Sequence, residues 1–109
     1  MFRIKTTIEP VKWPVWVPIP VDGGTVRRRK FVATFQRFKQ SELDELGKLE
    51  GRKFLDKILV GAEEIEDENH QPIPFGPELL NTLYEDSLIR GAIVAAYWEM
   101  LRGIEAKNS

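Results

Sequence analysis

Few residues of this chain can do covalent chemistry, and their spacing gives them little to work with. His70 is the one histidine and there is no cysteine, so neither a Ser-His-Asp set nor a zinc cluster assembles from the residues present. Asp67-Glu68-Asn69 opens like a calcium loop, but Pro72 occupies the sixth position, where that motif turns on a glycine. Gly23-Gly24 is followed neither by a helix pattern nor by the lysine and hydroxyl of a phosphate loop. What remains is contact chemistry. Arg27, Arg28, Arg29 and Lys30 directly precede Phe31 and Phe35, and cations beside aromatics can serve phosphates and bases. Trp13, Trp16, Tyr97 and Trp98 are large amphipathic rings of the kind that anchor protein interfaces. Core packing is the competing reading for all four.

The elements that position these residues follow from periodicity. Residues 11–21, VKWPVWVPIPV, are β-branched and aromatic, but Pro14, Pro18 and Pro20 lack the N–H that a central strand or a helix interior requires. They predict an edge strand or extended arm. Asp22-Gly23-Gly24 predicts a hairpin turn, and residues 25–38 the returning strand. Phe31, Ala33 and Phe35 share one face of that strand, with Lys30, Thr34 and Gln36 on the other; Val32 interrupts the polar face. The phenylalanines therefore read as core, which argues against a base-stacking platform, and the cations as a solvated strand end that discourages stray pairing.

From Ser41 the period becomes helical. Ser41-Glu42-Leu43-Asp44 resembles a capping box, Leu43, Leu46 and Leu49 form the inward stripe, and Gly51 is placed to close the first helix. A second helix is predicted over 52–60, burying Phe54, Leu55, Ile58 and Leu59. Residues 61–76 are predicted to be a loop, acidic from Glu63 to Glu68 and stiffened by Pro72 and Pro74. Gly76-Pro77-Glu78 opens a third helix with proline at its tolerated first position. The last helix is predicted from Ser87 to about Glu105, with Ile89, Ile93, Ala96, Tyr97, Met100, Leu101 and Ile104 as its stripe. Adjacent residues cannot both lie at the centre of one stripe, so either Tyr97 or Trp98 belongs at its margin. The expected fold is α+β: an N-terminal β-hairpin, forming a small antiparallel sheet, followed by about four helices.

Length and charge bound the rest. At 109 residues with 42% hydrophobic and 30% charged side chains, the chain suits one domain, with a hairpin region over 1–40 and a helical region over 41–109. Its net charge of −1 conceals a division: residues 1–40 hold nine Lys and Arg against Glu9 and Asp22, whereas residues 41–109 hold seven against fifteen acids. Such halves can pair within one molecule or join copies head to tail. With no long apolar run and no signal-peptide pattern at the start, a soluble cytoplasmic protein is expected.

The series FVATFQRFKQSELDEL, FLDKILVGAEEIED, QPIPFGPELLNTL and IRGAIVAAYWEMLRGIEAKNS resembles the small tail assembly chaperones of long-tailed bacteriophages and prophages, from about Pro10 to the C-terminus. The likeness lies in the aromatic strand running into Glu42-Leu43, the acidic turn before Pro72-Ile73-Pro74-Phe75, the Leu79-Leu80 helix start and the final helix ending in Lys107-Asn108. Ala62 departs from it, standing where a tryptophan often follows the glycine, and Asn69 stands where glycine is common. The resemblance implies a non-catalytic protein of the host cytoplasm, absent from the mature virion. Such a protein binds the tape measure protein, keeps it soluble, and helps the major tail protein polymerise into a tube around it; no cofactor or metal is implied. Two alternatives remain open: a general protein-interaction module, and a nucleic-acid binder using the basic strand 27–39.

Overall fold

The computed structural model describes residues 1–4 and 8–103. Strands β1 (Val11–Val21) and β2 (Thr25–Phe35) form the hairpin, with Val21 opposite Thr25 and Val11 opposite Phe35. Gly23 and Gly24 take φ of 95° and 81°, the left-handed values the turn demands and side chains resist. Proline parity explains how a strand with three prolines pairs along its whole length. Pro14, Pro18 and Pro20 are all even-numbered, and alternate residues direct their N–H to opposite edges, so the missing donors fall on the free edge.

The sheet has a third strand where loop was expected. Helix α1 (Gln40–Leu46) and helix α2 (Arg52–Ile58) are followed by β3 (Leu59–Glu63), antiparallel to β2 in the order β1-β2-β3. The predicted second helix thus stops at Ile58 instead of Val60. Leu59 suits either period locally, and the unpaired backbone of β2 decides between them. Ala62 faces Ala33 and Gly61 faces Thr34, but Phe35 faces Leu59, so Val60 is left over as a bulge and is 44% exposed. The bulge keeps Leu59 in the core. A β-carbon on Gly61 would come within 3.1 Å of Thr34, so the close crossing favours glycine there.

Helix α3 (Pro77–Glu85) starts at Gly76-Pro77 as predicted, and α4 (Ser87–Leu101) follows at once. Asp86 caps α4 through Oδ1, which accepts from the Leu88 and Ile89 N–H groups at 2.9 and 3.3 Å. The helix ends four residues before the predicted limit of Glu105 because Gly103 turns left-handed, φ 71°, and its N–H donates to the Met100 carbonyl. Ile104 and Glu105 lie outside the described residues.

Other boundaries also move. The returning strand ends at Phe35, not Phe38, although Phe38 still packs against the core. Lys39 precedes α1, its N–H donating to the Glu42 carboxylate, and Ser41 lies within the helix. Gly47 closes α1. Gly51 instead precedes α2 with φ 58°. Residues 65–73 form a small hairpin: Ile73 N–H donates to the Ile65 carbonyl, and Asp67 Oδ1 accepts from the Asn69 and Gln71 N–H groups. Within it His70 takes a positive φ, as does Glu64 just before it.

One hydrophobic cluster draws on both halves of the chain. Val15, Val17, Phe31, Ala33 and Phe35 line the inner sheet face, and Leu55, Ile58, Leu79, Leu83, Ile93 and Tyr97 meet them from the helices. The other sheet face carries Lys12, Trp16, Lys30 and Thr34. None of these four belongs to the core cluster.

Candidate protein-binding surface

The four aromatic residues singled out in the sequence do not converge. Tyr97 has no exposed surface, its hydroxyl donating to the Gln36 carbonyl at 3.1 Å and its ring meeting Phe35 edge-on at 5.3 Å. It belongs to the core and is withdrawn from the contact residues, because the centre of the α4 stripe falls on Tyr97 and not on its neighbour. Burial raises its phenol above the usual value, with Arg37 pulling weakly the other way. Trp13 packs half-buried against the core from the inner sheet face, in a row with Ala33 and Ala62. Its indole Nε1 is buried and makes no hydrogen bond. Trp16, by parity, lies on the outer face, half-buried and opposite Lys30.

Trp98 is different. It is 37% exposed, and it stacks on Phe54 of α2 with ring centres 6.1 Å apart and planes 22° from parallel. Phe54 reaches from α2 to α4, also meeting Tyr97 edge-on at 6.2 Å. Beside this pair runs an open groove of about 470 Å³, lined by Leu49, Phe54 and Leu55 on one side and by Arg90, Gly91 and Val94 of α4 on the other.

The local sequence explains why α4 has a second apolar side. Its 15 residues contain two charges, Arg90 and Glu99. Ile89, Ile93, Ala96, Tyr97 and Met100 turn inward, while residues 87, 90, 91 and 94 line the groove, and Trp98, one turn on, stacks on its Phe54 wall. A helix apolar around most of its circumference is ordinarily covered on all sides. Here Leu88 and Trp98 remain exposed and Val94 half-covered. Sequence reasoning missed Leu49, Phe54 and Val94 as surface residues. The signal was available in the scarcity of charge along 87–101, which one inward stripe does not require.

A second concavity, of about 540 Å³, opens where the hairpin meets the 65–73 turn and the start of α4. Val17, Phe31, Leu83 and Ile89 form its floor, with Arg29, Lys30, Glu64, Glu66, Asp67 and His70 around it. His70 is exposed there with no serine, threonine or cysteine in the lining. Asp86, also in the lining, is engaged as the α4 cap. Among the described residues no cluster of three or more His, Asp or Glu has the arrangement of a metal site.

The basic strand can now be placed. Residues 22–30 are exposed to the tip of the hairpin, whereas Phe31 and Phe35 are 7% and 0% exposed. Phe31 and Phe35 are therefore not available as stacking platforms, and Lys30 lies 3.7 Å from Glu64. No protein-family model, curated protein or solved structure matches the chain.

Proposed function

We propose that this protein is a tail assembly chaperone of a long-tailed phage or prophage, which binds the tape measure protein and keeps it soluble while tail-tube subunits assemble around it. The observation that carries the reading is the outer side of α4, where Trp98, Val94 and the groove against Phe54 leave apolar surface uncovered on a helix with two charges. A long, largely helical client exposes apolar stripes until it is enclosed, and a surface of this kind can cover them without any reaction. The resemblance of the strand, acidic turn, Pro-Ile-Pro-Phe segment and final helix to that family supplies the identity of the client.

Co-expression tests it. Co-expressed with this protein, the tape measure protein of its own phage should move from the insoluble to the soluble fraction and co-purify with it. Trp98→Ser should lower the recovered complex by at least tenfold, equivalent to about 1.4 kcal/mol, while leaving the melting temperature nearly unchanged. Equal solubility of the client without this protein, with no complex on gel filtration, would sink the reading in favour of a general interaction module. Saturable, salt-sensitive DNA binding abolished by Arg27→Gln, Arg28→Gln and Arg29→Gln together would favour nucleic acid instead.

A further inference from the structure

The charges around the α2/α4 groove run against those of the half of the chain that builds it. Residues 41–109 contain seven Lys and Arg against fifteen acids, yet the groove is lined by Arg90 and no acid, and the adjoining recess, which shares Leu49 and Gly51 with it, by Lys48, Arg52 and Lys53 against one acid, Glu50. Over half of the region's cations and one of its fifteen carboxylates border these two adjoining concavities.

Two of these cations are already matched. Lys48 pairs with Glu45 at 3.1 Å, and Arg52 pairs with Asp56 at 2.8 Å while also donating to Asn81. The other two are not. Lys53 is exposed and forms no ion pair among the described residues. The Arg90 guanidinium lies 4.8 Å from the centre of the Tyr84 ring, a neutral partner that orients it without neutralising it. A guanidinium placed over a ring, which accepts none of its N–H groups as a carboxylate would, keeps those donors for a carboxylate.

We infer that the groove takes an amphipathic helix whose apolar stripe is flanked by carboxylates. This rests on the reading of the α4 face as a protein-binding surface and adds the chemistry of what it selects. From Ser87 to Val94 the α4 wall is about 10 Å long at 1.5 Å per residue, which matches two turns of a partner helix with anchors at i, i+3 or i+4, and i+7. Apolar anchors of such a helix would lie between Leu49, Phe54, Val94 and Trp98, and its carboxylates would reach Lys53 on one side and Arg90 on the other. The open edge of β1 offers no competing strand-addition site of comparable length, since Pro14, Pro18 and Pro20 remove donors along it.

The test uses the full chain and two designed helical peptides with the same leucine stripe, one flanked by Glu and the other by Lys, in fluorescence-anisotropy titrations at about 50 and 500 mM salt. The Glu-flanked peptide should bind at least tenfold more tightly at low salt, and the preference should shrink at high salt. Lys53→Glu should reverse or abolish it. Gly91→Leu should abolish binding of both peptides while the melting temperature holds or rises, because a β-carbon at Gly91 meets nothing within 4 Å and leucine is the better helix former. Equal affinity for the two peptides, a preference for Lys, or binding indifferent to Gly91→Leu would each overturn the inference. So would sedimentation showing that the protein dimerises through this face, with Gly91→Leu dispersing the dimer. A client that stays soluble without any preference for the acidic peptide sinks the charge selection and leaves the chaperone reading standing. A groove that selects the acidic peptide but rescues no client does the reverse.

Discussion

At Trp13, Trp16 and Trp98 one residue type meets three environments, and truncation should separate them. Trp13→Ser removes a ring packed on the core and should cost roughly 2 kcal/mol or more, read by equilibrium denaturation. Trp16→Ser and Trp98→Ser should each stay within about 1 kcal/mol of the parent. Trp13→Phe should be milder than Trp13→Ser because it keeps an aromatic ring against the core while removing an indole N–H that is buried without a partner. Tyr97 adds a pH test. Burial holds its phenol above the usual 10.0, so the native state keeps a proton that the unfolded chain releases first. Its contribution is therefore intact below that value and is lost as pH rises through the raised folded value. Tyr97→Phe should flatten the alkaline fall in stability relative to the parent, while costing about 1 kcal/mol at neutral pH for the bond to the Gln36 carbonyl. Parallel denaturant titrations from about pH 7 to 11 measure both effects.

At the scale of elements, the ends matter most. Asp86→Ala should cost about 1 kcal/mol, since its carboxylate serves two N–H groups at the start of α4. Ser41→Ala should change stability by less than about 0.5 kcal/mol, because Ser41 lies inside α1 and makes no cap. From sequence the two positions look alike, a short polar residue before an apolar run. What distinguishes them is where the chain turns. Gly51→Ala should cost about 1–2 kcal/mol from its φ of 58°, and the new β-carbon would lie 2.8 Å from the Tyr84 hydroxyl. Displacing Tyr84 would also disturb the guanidinium stacked on it, so this variant should weaken acidic-helix binding as well as stability, measured by the same titrations.

Across the whole molecule, the divided charge is partly closed internally. Lys12 reaches Glu63 at 3.0 Å and Lys30 reaches Glu64 at 3.7 Å, both joining the basic hairpin to the acidic stretch that begins in β3. These pairs are well exposed, so each should contribute no more than about 1 kcal/mol. The hairpin, its glycine turn, the α+β class, the proline-led α3 and the inward stripe of α4 were legible because each is written in local chemistry: positive φ, missing donors, and periods of two or 3.6. By the same logic the core side of β2 was readable from Phe31, Ala33 and Phe35. Leu59–Glu63 was not, since a five-residue strand with a central glycine has no signature until the edge of β2 is there to pair with it. Nor could sequence choose between Tyr97 and Trp98, or bring Phe54 to Trp98, or set Lys53 and Arg90 in adjoining concavities. Local chemistry sets which conformation a segment prefers and which side of it is apolar. Which apolar side is left uncovered, and which charges border it, depends on how many elements compete to bury it, and that is decided only when α2, α3, α4 and the sheet are packed together.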